Sequence, residues 1–322
     1  MLKVDNLYKA YGGREIVNNI SFEAVKGKIY GFLGPNGVGK STTMNMISGY
    51  LAPGGGEILI NDISMIKNPV KAKRHIGYLP EVPPLYPDMT VTEYLGFAAE
   101  LKGLSGKQKR MEVERVEELL ALGYVKQHLI KQISKGYKQR VGLAQAITGN
   151  PELIILDEPS SGLDPRQIVE MRELIRRLKE DHTVIFSTHI LGEVSSLCDH
   201  VMILSGGRLV ADATPEDLVR DYNEKQRLTL VLKGSASAAE QAMDRIEDIE
   251  SHKVCKEDID SCTIEVTAKK GKDVREVLSK ACIGAGYTIL EMTGRQVTLE
   301  EVYLELTFIR PMKEEAEDVG SI

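Results

Sequence analysis

No stretch of this 322-residue chain approaches the ~18–20 consecutive apolar residues that a membrane-spanning helix needs. The longest run that reads as buried, Leu153-Ile154-Ile155-Leu156, is strand-sized. The first residues, Met1-Leu2-Lys3-Val4-Asp5, carry no basic segment followed by an apolar one, as a secretion signal would. The expectation is a cytoplasmic protein that meets a membrane only through a partner. Cysteine is sparse. Cys198, Cys255, Cys262 and Cys282 lie far apart without C-x-x-C spacing, which predicts reduced core residues and argues against disulfides or a metal knuckle. A dominating basic stripe is also missing: 41 Lys and Arg face 47 Asp and Glu, for a net charge of −6. That balance weighs against nucleic acid as a partner. There is no internal repeat.

What remains is an ordinary globular composition, 42% hydrophobic and 27% charged, at a length that suits one large and one small domain. The first ~220 residues read as α/β. Short β-rich runs (Ile29 to Leu33, Leu153 to Leu156, Val184 to Phe186, Val201 to Leu204) alternate with helical patterns such as Met171, Leu174, Ile175 and Leu178. Residues 88–147 look mostly helical, with Val113, Val116, Leu119 and Leu120 as an apolar stripe, so a helical subdomain is expected there. From Asp221 to Arg227 the chain turns polar and a new pattern begins. Alternating Leu228, Leu230 and Leu232 lead into a helix over Ala236 to Ile246, then strands over His252 to Lys256 and Thr263 to Ala268. Val274, Val277, Leu278 and Ala281 repeat at helical spacing, and Tyr287 to Met292 closes as a strand. This β-α-β-β-α-β order predicts a small α+β, ferredoxin-like domain. The expected boundaries are 1–222, 227–308 and an acidic, disordered tail over 309–322 that contains Glu314, Glu315, Glu317 and Asp318.

The chemistry starts at Gly34-Pro35-Asn36-Gly37-Val38-Gly39-Lys40-Ser41, followed by Thr42, which fits the phosphate-binding pattern G-x-x-x-x-G-K-[ST]. A predicted strand precedes it and a helix from Lys40 follows. Glycines let backbone N–H groups turn onto phosphate oxygens, and the helix N-terminus adds positive potential. In this geometry Lys40 reaches the β- and γ-phosphates and the Ser41 hydroxyl sits on Mg²⁺. ATP and Mg²⁺ are therefore the expected ligands.

The apolar strand Leu153 to Leu156 ends in Asp157 and Glu158, at the carboxyl edge where α/β sheets place ligands. Asp157 suits a Mg²⁺ shell and Glu158 suits polarising an attacking water, although paired acids after a strand also cap helices. A phosphate-binding loop with such acids is shared by many nucleotide hydrolases and kinases.

The neighbours narrow the choice. Ser134-Lys135-Gly136-Tyr137-Lys138-Gln139-Arg140 lies before the acidic strand, Ser161-Gly162-Leu163-Asp164 follows it, and Ser187-Thr188-His189 ends the next strand. In order and spacing these five motifs, over about residues 1–220, resemble ATP-binding cassette (ABC) ATPases. The resemblance implies that Tyr11 stacks on adenine. It implies that Ser134 and Gly136, the signature, reach the γ-phosphate held by a second cassette, and that Asp164 communicates across that dimer. It also implies that His189 hydrogen-bonds the γ-phosphate. Two departures stand out. Lys135-Gly136-Tyr137 replaces the usual Gly-Gly-Gln after the serine, and Glu81 replaces the usual glutamine in Gly77-Tyr78-Leu79-Pro80-Glu81. A carboxylate can still ligate Mg²⁺ but adds negative charge and lacks an amide donor.

Both departures, and the ending Val297-Thr298-Leu299-Glu300-Glu301-Val302-Tyr303-Leu304-Glu305-Leu306-Thr307, resemble the type-2 exporter branch of the family. The proline-rich segment Glu81 to Val91 occupies the region that faces a membrane subunit in those proteins. The implied partners are a second ATPase subunit, identical or not, and integral membrane permeases, with the chain peripheral on the cytoplasmic face. Ribosome-acting relatives with two cassettes and DNA-repair relatives with a long coiled coil fit less well, because this chain has one phosphate-binding loop and no such insertion.

Overall fold

A computed structural model describes residues 1–223 and 225–309. The chain divides into two compact units, one of residues 1–215 together with 303–309, the other of residues 216–302. The expected acidic tail lies outside the described residues from 310 on.

The first unit opens with β1 (Leu2–Tyr11) and β2 (Arg14–Ala24), an antiparallel pair, followed by β3 (Ile29–Leu33) and α1 (Lys40–Ile47). Next come β4 (Gly55–Ile60), β5 (Ile63–Ser64), α2 (Pro69–Arg74) and β6 (Ile76–Leu79). The region expected to be helical contains α3 (Val91–Leu101), α4 (Gly106–Leu119) and α5 (Lys135–Ile147). Then follow β7 (Leu153–Asp157), α6 (Pro165–Leu178), β8 (Thr183–Thr188), α7 (Leu191–Leu197), β9 (His200–Ser205) and β10 (Arg208–Ala213).

Two sheets result. One is antiparallel, in the order β2-β1-β4-β5; the other runs β10-β9-β3-β8-β7-β6, parallel from β9 to β6 with β10 as an antiparallel edge. Every residue of β3, β7 and β8 is buried, as a parallel sheet covered on both faces requires. Alternation sends their side chains to two cores. Ile154, Leu156, Val184 and Phe186 join the helical side with Met171, Leu174, Ile175 and Leu178. Leu153, Ile155 and Ile185 instead join the antiparallel strands through Leu2, Val4, Ile58 and Ile60.

Helix starts are specified locally. Thr90 accepts from the Glu93 amide while Glu93 accepts from the Thr90 amide, a capping box before α3. Asp164 and Gln167 form a second box at α6, with Pro165 in the first turn.

The second unit contains α8 (Pro215–Asn223) from its second residue on, then β11 (Arg227–Lys233), α9 (Ala236–Met243), β12 (Ile249–Glu257), β13 (Ser261–Ala268), α10 (Arg275–Gly284), β14 (Thr288–Arg295) and the start of α11 (Leu299–Leu304). Its strands pair antiparallel in the order β12-β13-β11-β14. Leu228, Leu230, Leu232, Ile264 and Val266 alternate inward, against Ala239, Met243, Leu278 and Cys282 from the two helices.

Two expectations need correction here. The inward positions here are Val274, just before α10, and Leu278 and Cys282 on it, spaced by four, and Val277 is exposed. Cys255 is not a core residue: it is exposed on the edge strand β12, whereas Cys262 and Cys282 are buried.

Candidate nucleotide site

Three parallel strands end side by side. The loop after β3 carries Gly34 to Gly39, β7 ends at Asp157 with Glu158 next, and β8 ends at Thr188 with His189 next. The order of the sheet thus brings together residues more than a hundred positions apart.

The loop winds directly into α1, whose N-cap is Gly39 at φ 105°. A Cβ there would lie 2.6 Å from the Ile16 carbonyl oxygen, so both conformation and space demand glycine. The Thr43 amide and hydroxyl both bond the Gly39 carbonyl, at 2.9 and 2.8 Å, and lock the first turn. The preceding amides of a first helical turn have no intrahelical acceptors and suit an anion. Val38 packs against the core on the antiparallel side.

Lys40 is buried, and its ammonium donates to the carbonyls of Gly34 (2.8 Å) and Pro35 (3.1 Å). It stands 3.6 Å from Glu158 Oε1. The other Glu158 oxygen accepts from His189 Nδ1 at 2.8 Å. Glu158 itself is held at φ 48°, a left-handed backbone unusual for a non-glycine residue. Its amide bonds the Ser187 hydroxyl at 2.9 Å and the Ser187 carbonyl at 3.2 Å, which stabilises that conformation. Such strain at a carboxylate is typical of functional sites.

Asp157 is buried and accepts from Ser187 Oγ at 2.5 Å and Ser41 Oγ at 3.1 Å. Ser187 therefore holds both acids, one through its hydroxyl proton and the other through its oxygen. Glu81, at the end of β6, accepts from Ser161 Oγ at 3.3 Å. Nearby, Tyr78 donates to Asn45 at 2.8 Å, and its phenol pKa is raised, first by burial and then by the charge of Asp157.

A cavity of about 430 Å³ is lined by Asn36, Gly37, Gly39, Lys40, Ser41, Thr42, Glu81, Glu158, Ser161 and His189. An adjoining cavity of about 580 Å³ shares Ser41 and Glu81 and includes Asp157. The hard oxygens of Ser41, Asp157 and Glu81 fit a small divalent cation such as Mg²⁺, which takes few protein ligands and completes its shell with phosphate and water. Among the described residues no cluster of three or more His, Cys, Asp or Glu could hold a metal by itself.

Four expected residues are elsewhere. Ser134, Gly136 and Asp164 line a different cavity of about 330 Å³ with Tyr137 and Gln167. Ser134 caps α5, accepting from the Tyr137 amide, and Gly136 lies beneath the Gln167 side chain. Tyr11, at the end of β1, is half exposed with the Lys9 ammonium 5.4 Å from its ring centroid. Sequence reasoning missed Ser187 as the bridge between the acids and Gln167 as the lid on Gly136. Only position marks them, since serine and glutamine are ordinary surface residues.

A phosphate-cradling loop, a helix N-terminus and two acids at a parallel sheet edge define a P-loop nucleotide hydrolase. Comparison with known proteins narrows the class. Residues 17–161 match the family described as ABC transporter, and residues 128–195 also match one described as an AAA domain, putative AbiEii toxin. The chain is 35% identical over 308 residues to the bacitracin transport ATP-binding protein BcrA of Bacillus licheniformis, covering 95% of this chain and 97% of that one. It is 32% identical over 311 residues to the linearmycin resistance ATP-binding protein LnrL of Bacillus subtilis, covering 95% and 98%. Among solved structures it resembles the dimeric post-hydrolysis state of the cassette MJ0796 bound to ADP and Pi, with a TM-score of 0.61 and 26% identity over 66% of this chain and 98% of that one.

The chain belongs to the ABC transporter family as an ATP-binding subunit close to the type-2 exporter branch. It is an ABC ATPase, of a class whose cassettes dimerise and work with membrane permease subunits. No helix among the described residues is long and apolar enough to cross a membrane.

Proposed function

We propose that this chain powers export, peripheral on the cytoplasmic face of a membrane, by closing two cassettes around ATP and opening them on hydrolysis. One observation carries the reading: the chain holds two half-sites, Lys40, Glu158 and His189 on one cavity and Ser134, Gly136 and Asp164 on another. A partner cassette, identical or related, completes each.

In this account the loop amides from Gly34 to Thr42 and the Lys40 ammonium hold the triphosphate, and Tyr11 stacks on the base. Stacking requires only a flat ring, so it discriminates little between bases. Lys40 exchanges the carbonyls of Gly34 and Pro35 for phosphate oxygens. Ser41, Asp157 and Glu81 would hold Mg²⁺, which would neutralise charge on the triphosphate. Glu158 accepts a proton from water as the water oxygen bonds to the γ-phosphorus. The bond from that phosphorus to the β,γ-bridging oxygen breaks, leaving ADP and phosphate. His189 orients Glu158 through Nδ1–H, with its ring beside the γ-phosphate. The partner's signature serine and glycine close over the same phosphate with the N-terminus of its α5.

The second unit is read as ferredoxin-like, which its element order and its β12-β13-β11-β14 antiparallel sheet support. Export is favoured by relatives named for bacitracin transport and linearmycin resistance. The segment from Glu81 to Val91 is the surface assigned to the permease. Val82 is 80% exposed, and Tyr86 stands edge-on to Tyr94 beside a cavity of about 880 Å³. Purification of the tagged chain from membranes tests this reading: a multi-spanning protein should accompany it. Recovery of ribosomes in its place would refute it, and a deletion of residues 83–87 that left ATPase activity coupled to transport would refute the docking assignment.

A further inference from the structure

Two positions that depart from the family's usual residues, Glu81 and Lys135, face one cavity of about 350 Å³ together with Ser161 and Lys138. They converge on consecutive residues of the loop after β7. Glu81 accepts from the Ser161 hydroxyl at 3.3 Å. The Lys135 ammonium is seated on Gly162: a Cβ built there would lie 1.9 Å from Nζ and 3.0 Å from Cε. Gly162 has φ +66°, so conformation and space both reserve this position for glycine. The lysine thus lies across a bare backbone, beside the serine that holds the acid.

Glu81 also lines the cavity of Lys40 and Glu158. Where a glutamine would be neutral, this carboxylate adds a negative charge to a wall that must receive a triphosphate. A cation lining the same cavity offsets part of that charge. Lys131, the third lysine on the cavity, is already engaged by Asp88 at 2.8 Å.

We propose that Lys135 is a positioning residue for Glu81: its ammonium, seated on Gly162, supplies the charge that lets a carboxylate stand in the wall of the nucleotide site. The two departures are then one substitution in two parts, made within a single chain. This inference rests on the Lys40 cavity being the nucleotide site. It assigns Lys135 a role in its own chain, distinct from the signature's action on the partner's phosphate.

The test is a double-mutant cycle on Mg–ATP affinity, using a fluorescent ATP analogue with protein dilute enough for light scattering to report monomer. Lys135→Gln should weaken binding by about three- to tenfold with Glu81 present, and by less than about twofold in a Glu81→Gln chain. Lys135→Arg, which keeps the charge, should bind like the parent. Equal losses in both backgrounds, or an equal loss in Lys135→Arg, would overturn the inference, because shape and not charge would then be responsible. An effect of Lys135→Gln seen only in the ATP-bound dimer would overturn it too, placing the lysine's action across the interface. If the parent chain failed to bind Mg–ATP, the proposed site itself, and not this coupling, would be at fault.

Discussion

His189 Nδ1 lies 2.8 Å from Glu158 Oε2, so the ring that follows β8 holds the acid that follows β7. The carboxylate is thereby aimed by one neighbour and balanced by another, the Lys40 ammonium 3.6 Å from its second oxygen. Replacing His189 by Ala removes the orienting donor and leaves the phosphate-binding loop untouched. The turnover rate should fall by about 10²- to 10⁴-fold with ATP affinity changed little. Steady-state ATPase kinetics beside nucleotide titration separates the two effects; a loss confined to affinity would contradict the assignment.

Ser187 is the hinge of the acidic pair. Its hydroxyl donates to Asp157 and accepts from the Glu158 amide, in a fully buried setting. Ser187→Ala should cost stability on the order of 1–3 kcal/mol, because it leaves polar groups short of partners. It should also slow hydrolysis, since Glu158 loses one of two bonds holding its left-handed backbone. Urea denaturation and ATPase rates check both; a variant of parental stability and rate would remove Ser187 from the account.

The pH dependence of stability has one legible contributor. His182 is buried, with Nδ1 donating to the Pro151 carbonyl at 2.6 Å. Burial, the largest influence, depresses its pKa below the ordinary 6.5. The unfolded chain then takes up a proton that the folded chain resists. The stability from neutral His182 is therefore full above 6.5 and lost as pH falls through the depressed value. Denaturation midpoints should drop between about pH 7.5 and pH 5.5, and the drop should shrink in His182→Asn. An equal drop in both proteins would assign the effect to other groups.

Much of the catalytic unit was readable from sequence because its motifs sit at strand ends, where a buried apolar run stops and chemistry begins. Leu153 to Glu158 is the clearest case. The antiparallel sheet was less legible. Asn6 and Asn19 take left-handed backbones within β1 and β2, and the pairing register shifts between Val4 and Leu7. These bulges break the alternation of period two on which a strand assignment depends. The seat of Lys135 on Gly162 was also invisible, since it joins a helix start to a loop across 27 residues. Likewise, Ser134, Gly136 and Asp164 share a cavity only because α5 and α6 begin next to one another.

The most direct test of the central claim is the assembly state of Glu158→Gln with and without Mg–ATP, followed by light scattering on a sizing column. The account predicts a chain that binds ATP, hydrolyses it at least ~10²-fold more slowly than the parent, and accumulates as a dimer only when ATP is present. A variant that hydrolysed ATP at the parental rate, or that bound ATP tightly and remained monomeric, would contradict it.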